Sequence, residues 1–214
     1  MKIAVINASP RKKCNTAQML DSFVNGVKEG CPSAETEHIH LYDFTYTGCR
    51  SCFACQMKKN RNYLRCQVKD SIYDVLDRVR SADGIVFGSP IYFFDVTAQL
   101  KAFLERLYYP GHTEKTIPTA FIYTMNATEE LKDKFNFDGA LSTSRTFAET
   151  TFHSKPECVY SFDTFQYNDK DIFNDGFTQY AQAKKEHQAE QFPEDLSAAF
   201  EAGKRLAEKC DQDK

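Results

Sequence analysis

The sequence predicts an α/β protein with a doubly wound, five-stranded parallel sheet and helices on both faces. Two observations carry this prediction. Short apolar runs alternate along the chain with segments of helical periodicity, which is the pattern of repeated strand–helix–strand units. In addition, the 214 residues contain no internal repeat and no Gly/Ser-rich or Pro-rich linker, so residues 1–214 are expected to form a single domain.

Five apolar or alternating segments are the expected strands. They are residues 2–9, 36–43, 83–90, 117–125 and 157–165. The first and third are continuous apolar runs, as expected for strands that are covered on both faces, and the third ends in a Gly-Ser-Pro turn. The second alternates between apolar and polar residues, which favours an edge strand with one wetter face.

Four segments have apolar residues at helical spacing. The apolar positions are Leu20, Phe23, Val24 and Val27, then Ile72, Val75, Leu76 and Val79, then Val96, Leu100, Phe103, Leu104 and Leu107, and finally Leu196, Phe200, Gly203, Leu206 and Ala207. Gly30 is expected to end the first helix and Asp95 to cap the third. Pro193 is expected near the first turn of an amphipathic C-terminal helix at about residues 193–210. One further helix is expected between Asn126 and Lys155.

The composition restricts the classes of function. A formal net charge of −3, with 42% hydrophobic and 27% charged residues, is that of an ordinary soluble protein and gives no sign of a nucleic-acid or membrane partner. An acidic electron carrier would show a larger negative excess. The first apolar run spans only Ile3 to Ile6 and is interrupted by Asn7, so it lacks the pattern of a signal peptide, and a cytoplasmic location is expected.

Ligands of doubly wound sheets bind outside the carboxyl ends of the strands, which directs attention to the loops after Asn7, Gly88 and Tyr123. The first loop contains Ser9, Asn15 and Thr16, which are small hydrogen-bonding residues at the start of a helix. It lacks both the P-loop and the dinucleotide fingerprint. It is therefore suited to a monoester phosphate, or it is a polar turn that caps the helix.

The other two loops carry apolar residues beside polar ones. Pro90, Ile91, Tyr92 and Phe93 follow the third strand, where a flat apolar ligand or core packing would equally account for them. Tyr123, Thr124, Met125 and Asn126 end the fourth strand and offer an apolar platform with polar groups at its rim.

Four of the eight cysteines lie within the segment from Gly48 to Cys66. Cys49, Cys52 and Cys55 are spaced C-x2-C-x2-C, and Cys66 follows after ten residues rich in basic side chains. Four nearby thiolates suit a [4Fe-4S] cluster, whereas zinc modules usually set two pairs well apart. Unligated thiols or a labile disulfide would also account for these cysteines. The insert between Cys55 and Cys66 either loops out or holds Cys66 away from the other three.

Several segments match one known pattern of residues: "NASPRKKCNTAQML", "GCRSCFACQ", "CQVKDSIYDVL", "ADGIVFGSPIYFFDVTAQLKAFLERL" and "FIYTMN", with "FDTFQYND" further on. They resemble the NADPH-dependent FMN reductase family and, more narrowly, its iron-sulfur flavoprotein branch. The resemblance is dense from Met1 to about Asn126 and fades over the C-terminal quarter. It implies the flavodoxin-like form of the fold, with strand order 2-1-3-4-5.

The resemblance also implies a cofactor site. The FMN phosphate would lie on Ser9, Arg11, Asn15 and Thr16, with Pro10 shaping the turn. Pro90, Ile91, Tyr92 and Phe93 would flank the isoalloxazine ring, and Tyr123, Thr124, Met125 and Asn126 would line its other edge. Relatives often have glycine where Phe94 stands, so the outer face of the flavin is expected to be more crowded in this chain. Cys49, Cys52, Cys55 and Cys66 would be the cluster ligands, although members of the branch generally place the fourth cysteine closer.

The activity implied is that of an FMN-dependent oxidoreductase. It would pass reducing equivalents from NAD(P)H, or from a low-potential donor, to a small-molecule or protein acceptor. The flavin supplies the chemistry, so no catalytic side chain is predicted. In the branch, cluster and flavin communicate across subunits, so a homodimer or homotetramer is expected. A cluster-free quinone, nitro-compound or flavin reductase and a non-enzymatic electron carrier are the competing interpretations.

Overall fold

The computed structural model describes residues 1–61, 63–110, 115–166 and 175–212, with backbone alone for 175–179. The strands are β1 (Lys2–Asn7), β2 (Glu35–His40), β3 (Gly84–Tyr92), β4 (Asp95–Val96), β5 (Thr119–Thr124) and β6 (Glu157–Ser161). The helices are α1 (Asn15–Gly30), α2 (Tyr73–Arg80), α3 (Ala98–Leu107), α4 (Glu129–Lys134), α5 (Phe137–Phe152) and α6 (Asp175–Gln212). Short 3₁₀ helices lie at Leu41–Asp43 and Ala54–Gln56.

The sheet has the order β2-β1-β3-β5-β6, and every pairing along this path is parallel. The predicted order 2-1-3-4-5 is therefore confirmed for the five parallel strands. The short β4 pairs antiparallel with the end of β3 and was not predicted.

Two cores lie on opposite faces of the sheet, as the apolar strands predict. On one face, Ile3, Val5 and Val86 pack with helices α1 and α6. On the other, Ile6 and Phe87 pack with α2, α3 and α5. Neighbouring residues of a strand point to opposite faces, so a continuous apolar run supplies both cores.

The end of β3 differs from the prediction. The Gly-Ser-Pro turn expected at residues 88–90 does not end the strand, which continues to Tyr92 and turns back into β4. Asp95 consequently lies in β4 and does not cap α3. The cap is Thr97, whose side chain accepts a hydrogen bond from the Leu100 amide at 3.3 Å.

The second half of the chain contains two further corrections. The single helix expected between Asn126 and Lys155 is divided into α4 and α5, with Asn136 in the left-handed conformation between them. The C-terminal helix begins at Asp175, well before the predicted start, and Pro193 lies inside it. Within the described ranges, none of the helices has the length and apolar character needed to span a membrane.

Candidate functional site

The three predicted loops meet at the carboxyl edge of the sheet. The Ala8 amide donates to the Gly88 carbonyl at 2.8 Å, which joins the first loop to β3. The hydroxyls of Thr16 and Thr124 are hydrogen-bonded at 2.7 Å and buried, which joins the start of α1 to the end of β5. The edge expected from the strand order is thus tied together by short polar contacts.

The first loop presents free donors to the space above this edge. Ser9 is 3% exposed, and its hydroxyl oxygen accepts from the Arg11 amide at 3.2 Å, which leaves the hydroxyl hydrogen able to donate. Helix α1 follows at Asn15 without a side-chain cap at Cys14 and without an acidic residue in its first turn. The first amides of a helix have no acceptor within it, so these groups and the helix dipole favour an anion.

Two of the predicted phosphate ligands also hold a later segment of the chain. Arg11 donates to the Gln166 carbonyl, and Asn15 donates to the Phe165 carbonyl at 2.9 Å. Gln188 of α6 donates to the Asn15 side chain at 3.2 Å and accepts from the Phe165 amide. Residues 165–166 therefore lie against the first loop. The remainder of "FDTFQYND", Tyr167 to Asp169, falls outside the described residues.

Of the second loop, Pro90 and Ile91 are buried in β3, whereas Tyr92 is exposed. Phe93 and Phe94 form the two-residue turn into β4, with φ of 47° and 71°. Such turns require positive φ at both central positions, which normally selects Asn-Gly. Phe94 packs on Phe137 with ring centroids 4.9 Å apart, while Phe93 is 96% exposed. The most exposed aromatic ring of the site therefore stands on a strained turn.

The third loop contributes mainly to the core. Tyr123 and Met125 are buried, and burial raises the pKa of the Tyr123 hydroxyl far above its ordinary value. Thr124 faces Thr16, as described above. Asn126 is half-buried and receives hydrogen bonds from α6: Tyr180 donates to its side chain at 3.0 Å and Lys184 to its carbonyl at 2.6 Å.

The four clustered cysteines line one cavity. Cys49 and Cys52 are exposed, Cys55 and Cys66 are half-buried, and all four contribute to its wall. Burial raises the pKa of the Cys55 thiol, and the three neighbouring thiols raise it further. The remaining cysteines, Cys14, Cys31, Cys158 and Cys210, do not line this cavity.

The described residues of the insert between Cys55 and Cys66, 56–61 and 63–65, loop out. The Leu64 amide donates to the Cys55 carbonyl at 2.8 Å, and the Asn60 side chain donates to the Ala54 carbonyl at 2.6 Å. These bonds close the insert at its base. With the insert closed at its base, Cys66 lines the same cavity as the other three thiols.

Helix α3 anchors the cysteine loop. Glu105 accepts from the Cys49 amide at 3.2 Å, and Arg106 donates from Nε to the Cys66 sulfur at 3.3 Å. Burial opposes the charge of Arg106, but its bonds with Asp70 and Cys66 outweigh burial and raise its pKa. Sequence reasoning missed Arg106, because a basic residue in the last turn of a helix is ordinarily explained by the helix dipole.

Four thiols around one cavity fit a [4Fe-4S] cluster in kind and number. They are not drawn together, however: in the part of the chain that the structure describes, no three Cys, His, Asp or Glu side chains form a group able to hold a metal. The cysteine loop would therefore have to rearrange in order to bind iron or zinc.

The chain matches a known family over most of its length. Residues 1–154 match the NADPH-dependent FMN reductase family, which is well over half of the chain. The chain belongs to this family. The match ends before β6, so β6 and α6, including the residues that contact Asn15 and Asn126, lie beyond it. An FMN reductase needs a site for a monoester phosphate, and the Ser9 hydroxyl and the first amides of α1 fit one, with the Thr16 hydroxyl bonded to Thr124 beside them.

Two relatives are iron-sulfur flavoproteins. The chain is 40% identical over 106 residues to one from Archaeoglobus fulgidus, which covers 50% of this chain and 48% of that protein. It is 35% identical over 106 residues to one from Methanocaldococcus jannaschii, which covers 50% and 51%. The chain thus spans about half the length of the curated relatives it matches.

A solved azoreductase from Bacillus anthracis has the same architecture. Its TM-score is 0.63, over 98% of this chain and 99% of that one, at 14% identity. At this identity the likeness shows the fold alone, which is flavodoxin-like.

Proposed function

We propose that this FMN reductase family member is an oxidoreductase that passes reducing equivalents from NAD(P)H, or from a low-potential donor, through bound FMN to a small-molecule or protein acceptor. The observation that carries the proposal is the uncapped N-terminus of α1, beside the hydroxyls of Ser9 and Thr16, at the edge where Tyr92 and Phe93 are exposed. Family membership supports the same cofactor.

Bound FMN would supply hydride and electron transfer. The protein's own residues bind and orient. Ser9, Thr16 and the amides of α1 would hold the phosphate, with Arg11 contributing positive charge. Tyr92 and Phe93 would lie against the ring. Residues 165–166, fixed by Asn15 and Gln188, would limit the access of water to the phosphate.

We further propose that the cysteine cavity holds a [4Fe-4S] cluster. Support comes from the four thiols around one cavity, from the guanidinium beside Cys66, and from the two relatives that are iron-sulfur flavoproteins. A metal analysis could instead find zinc or unligated thiols. Anaerobically purified protein is expected to contain about four irons per chain. Flavin without iron would leave the FMN proposal standing and remove the cluster.

The test of the cofactor site is an FMN titration of two threonine variants. Thr16→Val removes a hydroxyl at the site. Thr119→Val removes a buried hydroxyl at the opposite end of β5 that has no hydrogen-bond partner among the described residues. A lost hydrogen bond to a charged group costs roughly 1.5–3 kcal/mol, so Thr16→Val should weaken FMN binding about tenfold or more. Equal affinities for both variants would refute the placement of the phosphate.

Turnover separates an enzyme from a carrier. Steady oxidation of NADPH or NADH by the FMN-loaded protein with excess acceptor is expected. Its absence with both nicotinamides, in protein that binds FMN, would favour a non-enzymatic electron carrier.

The eight cysteines are free thiols, which supports work in a reducing cytosol. We also propose a homodimer or homotetramer, and a monomer active at full rate would refute it.

A further inference from the structure

The side chain of Arg106 reaches both ends of the cysteine loop. Arg106 is 2% exposed and lies in the last turn of α3. Its guanidinium donates to the Thr47 carbonyl at 3.1 Å, just before the loop, and to the Val68 carbonyl at 2.9 Å, just after it. One planar group thus joins two segments that lie about twenty residues apart in sequence.

The charge of Arg106 is fully paired. Asp70 accepts two hydrogen bonds from the guanidinium, at 2.6 and 3.2 Å, and carries the compensating charge. A buried cation is tolerated only with such partners. The remaining N–H, at Nε, is directed at the Cys66 sulfur at 3.3 Å. Its direction is fixed, because the other donors of the same plane are already held.

The first cysteine is placed by the neighbouring residue of the same helix. Glu105 accepts from the Cys49 amide at 3.2 Å. A Cβ at Gly48 would lie only 2.3 Å from the Glu105 carboxylate, so glycine allows this close approach. The first and fourth cysteines are therefore placed by consecutive residues of α3, whatever the length of the insert between them.

We propose that Arg106 is the positioning residue that holds Cys66 in the wall of the cysteine cavity, which the other three thiols also line. The inference about Arg106 concerns the ligand-free protein and stands independently of the cluster; its consequence for iron binding rests on the proposed cluster.

The first test is the rate of thiol alkylation in ligand-free protein, resolved by cysteine with mass spectrometry. Arg106→Lys keeps the charge but loses the fixed N–H fork. We expect the alkylation rate of Cys66 to rise about tenfold, equivalent to a lost interaction of about 1.4 kcal/mol, with Cys55 unchanged. Cys210, buried on the opposite face, reports general unfolding and should stay protected.

The control is Arg80→Lys. Arg80 is also a buried arginine, and it donates to the main-chain carbonyls of Leu107 and Tyr109. The proposal would be overturned if the alkylation rate of Cys66 rose equally in both variants. It would also be overturned if the alkylation rate of Cys210 rose together with that of Cys66. If Arg106→Lys does not fold, Asp70→Asn is measured instead, and a selective rise at Cys66 is again expected.

The second test is anaerobic reconstitution with ferrous and ferric iron and sulfide, followed by oxidation with ferricyanide before electron paramagnetic resonance is recorded. The wild-type chain is expected to take up about four irons and the Arg106→Lys chain about three, with the electron paramagnetic resonance signal of a three-iron cluster. Full four-iron loading of the variant would refute the role of Arg106 in placing the fourth ligand. If the wild type takes up no iron, the cluster proposal fails, while the alkylation result still decides the role of Arg106.

Discussion

Replacing Gly203 with alanine tests the close packing of α1 against α6. A Cβ at Gly203 would be 2.0 Å from the Phe23 carbonyl oxygen and 3.0 Å from the Val27 nitrogen. The contact is reciprocal, because a Cβ at Gly26 would be 1.9 Å from the Phe200 carbonyl oxygen. In both cases the obstacle is backbone, which cannot turn aside as a side chain does.

The magnitude follows from the shift that alanine forces. An ordinary contact begins at 3.4 Å, so α6 must move from α1 by roughly 1.4 Å at the crossing. A gap of 0.5–1 Å already forfeits about a quarter to a half of the dispersion attraction. This loss would fall on three side chains that are almost fully buried at the interface: Phe23, Val27 and Leu206. Overpacking costs up to about 3 kcal/mol, and alanine returns about 1 kcal/mol of helix propensity, which leaves a net loss of about 2 kcal/mol.

Urea unfolding of the FMN-free protein measures this loss. We expect a lower midpoint at an unchanged m value, and a melting temperature reduced by roughly 4–8 °C. The control is Gly139→Ala in the exposed part of α5, where the atoms nearest to the added Cβ belong to the flexible Asn136 side chain. That variant should be neutral or stabilised by up to about 1 kcal/mol. Equal stability of the two variants would refute the backbone clash.

Two further predictions concern strain and protonation. Phe93→Asn should stabilise the FMN-free protein against urea by about 1 kcal/mol, because asparagine tolerates positive φ. The same variant should bind FMN more weakly if the flavin ring stacks on Phe93. Unchanged FMN affinity would show that Phe93 is not part of the site. Burial raises the pKa of Asp195, which is hydrogen-bonded to Ser161, so the folded state holds its proton more tightly than the unfolded state. The free energy of unfolding should therefore fall as the pH rises from about 3.9 through the pKa of Asp195 in the folded state. Asp195→Asn should flatten that part of the plot of urea midpoint against pH. Parallel plots for the variant and the wild type would contradict this reasoning.

The sheet was predictable because its signal is local and hydrophobic. Each strand of the centre is an apolar run of limited length, and the intervening helices show clear periodicity. The hairpin from Tyr92 to Asp95 was missed because Phe93 and Phe94 replace the usual turn residues, and the packing of Phe94 against Phe137 stabilises a conformation that local preference disfavours.

The early start of α6 was missed for a different reason. Pro193 ordinarily marks the beginning of a helix, and the preceding residues lack apolar periodicity. This part of α6 is held by polar contacts instead: Lys184 donates to the Asn126 carbonyl and pairs with Asp163, and Gln188 binds Asn15. Such contacts join residues far apart in sequence and leave no repeating pattern.

The sequence by itself determined the doubly wound sheet, the position of the candidate FMN loops at its carboxyl edge and the grouping of four cysteines between β2 and α2. These features follow from residue spacing and from the hydrophobic pattern. Only the tertiary structure decided that the insert after Cys55 loops out and that Arg106 of α3 reaches Cys66. The physical reason is that both depend on particular hydrogen bonds and not on a repeating pattern of residues. The insert is closed by bonds from Leu64 to Cys55 and from Asn60 to Ala54, and Arg106 bonds groups as far away in sequence as Thr47.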